Sequence, residues 1–545
     1  MERKECLLSR VYLREMIRRD PSTSWMTSQL VSHQLAESDD SKAPESLVNP
    51  TAGIGRAIDD FVLTDLALDR LFAAITKGLE PFDLLPYFTT LPQNFTTIRY
   101  RQDIASDLLV ADNRLPILTF CECLERVELL LAAAEQARQP SGRERWLLDA
   151  VLTYTRGIES VVTHLGAASW SSAGLQGLQD ALVMLSQAND FLQLSRDAES
   201  VASELESIDY HLLLEDNAIT VAPSEDGARA GGYRDHLLSL FARFGDNSAQ
   251  VISASPTRRS STHIDDRILV ILGRIFPDQF ADLTAFSNTH QTFLPTWVAS
   301  IERELVFYLA WIEEILALEG AGLPWVVPKL NRGAGQEHAE QIYDLGLAHD
   351  LVRNHTVPVT NQWHLDNDEL IAVVTGPNNG GKTTYTRSIG QLYFMTALGL
   401  PVGASVAQLT PPPSVTTIFS EHEATDRVTG RLEEEIINLQ HCLRDAQPQA
   451  LLLANEVFSS TSVDDAVTLG RLLIERCQQK QVRCIIVTFV EALAAPAPAV
   501  VSLVALSDET TLERSFRLER RPPQGRALAL ELAAQYGLIG GAPND

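Results

Sequence analysis

The chain has 545 residues and is 45% hydrophobic, enough for about two to four domains with sizeable cores. Its 71 acidic and 44 basic side chains leave a net charge of −27, which argues against a non-specific polyanion binder, because phosphate neutralisation needs clustered Lys and Arg; a local basic groove is compatible with it. Six cysteines (Cys6, Cys121, Cys123, Cys442, Cys477, Cys484) are sparse for the length, the N-terminal stretch carries charges throughout, and no run approaches about 18 uninterrupted apolar residues, so a reducing cytoplasmic location without a membrane span is expected.

In chain order, residues 1–20 read as a charged helix with Arg10, Arg14, Arg18 and Arg19 on roughly one face, either a nucleic-acid contact or a solvated face. Residues 34–50 are polar and acidic with two prolines and read as a linker. Residues 53–77, 97–138 and 145–213 carry helical periodicity, with Phe61, Leu66, Leu68, Leu71, Phe72 and Ile75 close to the i, i+3, i+4 pattern. Cys121-Glu-Cys123 has the wrong spacing for a zinc knuckle and reads as helix packing. Residues 214–232 break the helical habit around a β-like run at 218–222, suggesting a hairpin. Residues 264–320 return to helix, most clearly the amphipathic 302–320, which ends at Gly320. From about 355, short apolar runs at 370–375, 415–419, 450–455, 483–488, 499–505 and 513–518 alternate with helices, the pattern of an α/β sheet.

The informative stretch is 371–386. The apolar run Ile371 to Val374 leads into Gly376, Pro377, Asn378, Asn379, Gly380, Gly381, Lys382 and Thr383, a match to G-x-x-x-x-G-K-[ST]. The glycines let backbone N–H groups wrap a phosphate, and the helix after them presents its positive end to the same anion. Lys382 suits the β/γ-phosphates and the Thr383 hydroxyl suits Mg²⁺. With Thr384, these residues are the candidate ATP site.

Such an ATPase also needs an acid at the tip of a neighbouring strand. Residues 450–457 supply Asn455 and Glu456 there: Asn455 keeps an oxygen for Mg²⁺ without the charge of the usual Asp, and Glu456 is the candidate general base, or else a helix-start acid before the cap-like 459–465. The strand ending at Thr488 is followed by Phe489, where many ATPases of this type place a His that senses the γ-phosphate; with Asn455, this predicts slow hydrolysis.

The order of these pieces resembles the MutS family of DNA mismatch-repair ATPases. Residues 375–404 are similar to its phosphate loop and following helix, 416–419 to its "RIFTR" strand, 451–464 to its magnesium-and-acid strand with the serine-rich loop at Ser460 to Ser462, and 487–493 to "THYxEL". Tyr100-Arg-Gln102 resembles the helical core and 302–319 the lever. The resemblance covers about residues 50–540. It implies a multidomain protein: an N-terminal extension and linker (1–50), a mostly α-helical core and lever domain (51–350) with a short excursion near 214–232, and a C-terminal α/β P-loop, ABC-type ATPase domain (351–545). It departs in that no N-terminal mismatch-reading module with an aromatic-x-Glu wedge is expected; the Phe-x-Glu at Phe419-Ser-Glu421 falls inside the ATPase stretch.

The resemblance further implies ATP and Mg²⁺ as cofactors, DNA (mismatched or branched) as a ligand, and a homodimer with composite ATP sites, completed here by Thr429 to Arg431 and Ser460 to Ser462. Arg431 reads either as a contact to a partner's phosphate or as an ion-pair residue near Glu433 to Glu435. Trp363 is the nearest aromatic for base stacking, against plain core packing. The alternative function is a nucleotide-gated scaffold that hydrolyses little; a transport ATPase shares the nucleotide fold but needs a membrane partner.

Overall fold

The computed structural model describes residues 35–36, 44–50, 55–215, 218–223, 262–333, 335–377, 380–419, 428–507 and 514–523. These fall into two compact units: the first takes in Ala111–Trp170 and the described part of Gln176–Arg303, the second Glu45–Val110, Ser171–Leu175 and the described part of Glu304–Asp545.

The chain enters the second unit before it reaches the first. Helices α1 (Asp60–Asp65), α2 (Leu68–Ile75) and α3 (Phe95–Leu109) belong to it. In α2 the apolar Leu68, Leu71 and Phe72 recur at helical spacing and are buried. Asn94 starts α3, its side chain accepting from the Thr97 N–H at 2.6 Å.

The first unit is helical. It contains α4 (Ala111–Gln136), α5 (Pro140–Leu165), most of α6 (Ala173–Gln187), then α7 (Asn189–Glu206), α8 (Thr262–Ile275) and α9 (Pro277–Thr289). Cys121 is buried in α4, and the Cys123 thiol lies 3.6 Å from the Thr153 carbonyl of α5, as packing requires. The expected excursion is an antiparallel hairpin of β1 (Tyr210–Glu215) and β2 (Ala218–Pro223), starting earlier than the sequence suggests. Residues 224–232 of that reading, and Arg10, Arg14, Arg18 and Arg19, lie outside the described residues.

Helix α10 (Thr296–Gly320) leads back into the second unit, which holds two sheets. The elements follow as β3 (Lys329–Leu330), β4 (Glu337–Ile342), α11 (Leu345–Arg353), β5 (Asn361–Leu365), β6 (Ile371–Thr375), α12 (Lys382–Leu398), β7 (Val406–Leu409), β8 (Val415–Phe419), α13 (Val428–Arg444), β9 (Leu451–Asn455), α14 (Val463–Lys480), β10 (Arg483–Val487), β11 (Val500–Ser507) and β12 (Arg514–Arg520). The small sheet has the order β3-β7-β4-β5, the large one β8-β9-β10-β6-β11-β12. In the large sheet β8 to β11 and β6 are mutually parallel, and β12 closes the edge antiparallel. The strands β6, β9 and β10 are buried along their whole length, which is why they read as continuous apolar runs.

Two expectations are corrected. The 34–50 linker ends in buried chain: Leu47 and Val48 are fully buried, the Leu47 N–H donates to Glu304 at 2.6 Å, and Tyr308 Oη donates to the Leu47 carbonyl at 2.7 Å. The helical stretch beginning at 51 also does not form one body, because residues up to Val110 pack with the sheets. Arg387 Nε donates to the Asp65 carbonyl at 2.9 Å and Gln391 Nε2 to the Leu66 carbonyl at 2.7 Å. Gly390 makes the approach possible, since a Cβ there would sit 2.4 Å from a Leu66 methyl. From the resemblance to the helical core, Arg101 is buried, donating from Nε to the Val48 carbonyl at 2.7 Å and from Nη1 to the Leu398 carbonyl at 3.2 Å.

Candidate functional site

The site gathers at the carboxyl ends of the central parallel strands, where an open α/β sheet offers backbone and helix termini to a ligand. Strand β6 is flanked by β10 on one side and β11 on the other. It feeds the glycine loop directly into α12, whose first residue is Lys382. Gly376 has φ +127°, and a Cβ built on it would lie 2.9 Å from the Ala505 Cβ and 3.0 Å from the Ala505 backbone nitrogen. Gly381, with φ +87°, is the left-handed residue that starts α12. Gly376→Ala is therefore expected to cost about 1–3 kcal/mol of stability. A urea midpoint unchanged from wild type would show that the loop has more room than this geometry allows.

The sequence-predicted residues converge only in part. Lys382 is buried, and its Nζ donates to the Gly376 and Pro377 carbonyls, both at 2.9 Å. Burial lowers the pKa of this ammonium, opposed by the charge of Glu456. Thr383 Oγ1 donates to Asn455 Oδ1 at 3.4 Å, a long bond that brings together the two oxygens proposed for a cation. Asn455 ends β9, in register with Phe419 of β8 and Val487 of β10. Glu456 follows with φ +56°, its N–H donating to the Val487 carbonyl at 2.9 Å, so the chain turns sharply where the acid stands. Gly380 donates its N–H to the Pro377 carbonyl at 3.2 Å, and Thr384 is half-buried in the first turn of α12. Asn378 and Asn379 lie outside the described residues, as do Ser420 and Glu421. The oxygens of Thr383 and Asn455 that meet here, with Glu456 next along the chain, are hard oxygen donors of the kind that fits Mg²⁺ better than a softer metal.

Other expectations take a different form. Ser462 caps α14, accepting from the Asp465 N–H at 3.2 Å, while Ser460 Oγ is buried without a hydrogen-bond partner among the described residues. The cap-like reading of 459–465 thus applies to Ser462 and Asp465 and leaves Glu456 on the strand tip. Thr429 to Arg431 lie in α13, and nothing of their side chains falls within the description. Trp363 is 2% exposed, and its Nε1 donates to Tyr393 Oη at 2.9 Å; this is core packing, with no ring face left for a base.

Two aromatic residues flank the loop instead. The Phe489 ring lies under the Lys382 ammonium, 4.8 Å from Nζ to the ring centroid. Phe516, on the edge strand β12, is 46% exposed with φ +54°, and its Cδ1 would lie 3.4 Å from a Cβ at Gly381. Asn361 holds it there, donating from Nδ2 to the Phe516 carbonyl at 3.0 Å and accepting from the Leu518 N–H at 2.9 Å. Sequence reasoning missed Phe516; the available signal was a lone aromatic in a strand otherwise rich in Arg.

Over residues 372–514 the chain matches the MutS domain V family. It is similar to Endonuclease MutS2 of Streptococcus pyogenes serotype M49 (strain NZ131), 25% identical over 198 residues, and to that of Streptococcus equi subsp. equi (strain 4047), 25% identical over 201. Endonuclease MutS2 of Streptococcus thermophilus (strain ATCC BAA-491 / LMD-9) is 26% identical over 204 residues. Each alignment takes in 36% of this chain and spans 25% of the relative's length. The likeness falls on the glycine loop, the strand tip at Asn455 and Glu456 and the strands between them, and over these residues the chain is similar to the MutS domain V family.

Proposed function

We propose that this chain binds ATP with Mg²⁺, hydrolyses it slowly, and couples its nucleotide state to DNA binding in mismatch repair or a related repair or recombination process. The observation that supports this best is the meeting of Lys382, Thr383 and Asn455 at the strand ends, with Glu456 next along the chain. The backbone of Gly376 to Thr384 holds the phosphates, and Lys382 adds the point charge. Thr383 and Asn455 would hold Mg²⁺, which would offset phosphate charge there. Glu456 accepts the proton of the attacking water. Phe516 and the loop at Gly381 offer the face on which the base can lie. The protein acts as a homodimer in the cytoplasm, each ATP site completed by the other subunit through Ser460 to Ser462 and Thr429 to Arg431. No helix among the described residues is long and apolar enough to cross a membrane.

The test is steady-state ATP turnover without DNA and with homoduplex, mismatched and branched DNA, taking Lys382→Ala as the blank. The expected result is turnover that rises with one DNA form and vanishes in the blank. Turnover at the blank's level under every condition, with ATP still bound, would support a second reading, a nucleotide-gated scaffold. That reading draws on Asn455 at the place of an Asp and on the ring lying against Lys382.

A further inference from the structure

The amine of Lys382 is already served by the chain's own groups. An ammonium has three donors and no acceptor. Two carbonyls, of Gly376 and Pro377, accept from it at 2.9 Å each, and the face of Phe489 covers a third side at 4.8 Å. The carbonyls belong to the loop that Lys382 closes, so they follow it in any rearrangement. Phe489 belongs to the segment after β10 and is 49% exposed, so its side chain has solvent on one side and the lysine on the other. Its backbone is tethered on both sides: the Thr488 N–H donates to the Val374 carbonyl at 3.1 Å, and Thr488 Oγ1 accepts from the Val490 N–H at 3.0 Å. The ring is thus presented to the lysine by a fixed main chain.

We infer that Phe489 is a positioning residue that caps the Lys382 ammonium, so that a nucleotide phosphate binds Lys382 only by exchanging against the ring. The inference rests on the proposed ATP site and adds to it a device that sets the affinity for phosphate. The attraction is electrostatic, between a cation and the ring quadrupole, and grows from an aliphatic side chain through Phe to Trp. A role in packing alone carries no such order.

Two readouts test it on the full chain. With no nucleotide added, acylation of Lys382 by an amine-directed reagent, followed by peptide mass spectrometry, is expected to quicken in Phe489→Leu and slow in Phe489→Trp. ATP affinity by calorimetry is expected to tighten about two- to fivefold in Phe489→Leu and weaken in Phe489→Trp. Both variants sit at a half-exposed position and are checked for wild-type thermal unfolding. Rates and affinities that stay unchanged, or move the same way in Leu and Trp, would overturn the cap. If no variant and not the wild type binds ATP, the proposed nucleotide site fails, and the acylation rates alone decide whether Phe489 caps the lysine.

Discussion

Glu456→Gln is expected to lower ATP turnover by about 10²- to 10⁴-fold, the range that a positioned general base contributes. Gln keeps the size of the side chain and a carbonyl oxygen but gives up the proton-accepting carboxylate. The backbone turn at Glu456, with φ +56° and its N–H on the Val487 carbonyl, does not depend on the carboxylate, so the site should keep its shape. ATP affinity is therefore expected to stay within about threefold of wild type, since a factor of three is under 1 kcal/mol. Single-turnover kinetics with bound ATP separates the two quantities. A variant that hydrolyses at the wild-type rate would move the base to another residue; one that no longer binds ATP would place Glu456 in nucleotide binding.

Breaking the pair beneath the site should cost the most stability. Arg483 and Glu337 are both almost wholly buried; Arg483 Nη1 donates to Glu337 Oε1 at 2.8 Å and to the Thr410 carbonyl at 2.9 Å, and Nη2 donates to the Gln449 carbonyl at 2.6 Å. Its guanidinium lies 4.7 Å from the centre of the Tyr393 ring, and Tyr393 Oη in turn donates to Glu337. Burial, with the Glu337 charge beside it, pushes the Tyr393 phenol well up, so it remains a neutral donor. Arg483→Met leaves the Glu337 carboxylate uncompensated in the interior, and the expected loss is about 3–5 kcal/mol. Arg483→Met combined with Glu337→Leu removes both charges and should recover most of that loss, because an apolar pair has no ion to desolvate. Urea unfolding of the single and double variants reads this directly. A single variant within about 1 kcal/mol of wild type would mean that water reaches the carboxylate.

Features written in local patterns were legible in the sequence. The glycine loop needs small residues and a lysine at fixed offsets, and buried parallel strands need unbroken apolar runs, so the strands at 371–375, 451–455 and 483–487 stand within a residue or two of where the runs place them. Features made by long-range pairing were not. Leu47 and Val48 sit in an acidic, proline-containing stretch, and Arg101, Glu304 and Tyr308, far along the chain, make it a buried strap. Trp363 stands where a base platform is expected, but the phenol of Tyr393, thirty residues on, draws its indole into the core. Phe489 reads as the loss of a histidine; that its ring meets Lys382 depends on β6 and β10 being neighbours, which spacing along the chain does not reveal.

The discontinuous make-up of the second unit, three segments of the chain, governs when it can form. The Asp65 carboxylate accepts from Thr417, 352 residues away in sequence, and the Arg101 guanidinium bonds Leu398, 297 residues away. As the chain leaves the ribosome, Glu45 to Val110 has no sheet to rest on until the strands up to β10 have been made, so its apolar helices wait through most of synthesis. Closing loops of this length is entropically slow and favours late, cooperative docking over stepwise assembly. A fragment cut to the MutS domain V region would leave bare the surfaces of α12 and β8 that Asp65 and Leu66 cover, and aggregation is its natural fate unless the N-terminal segment is supplied alongside it.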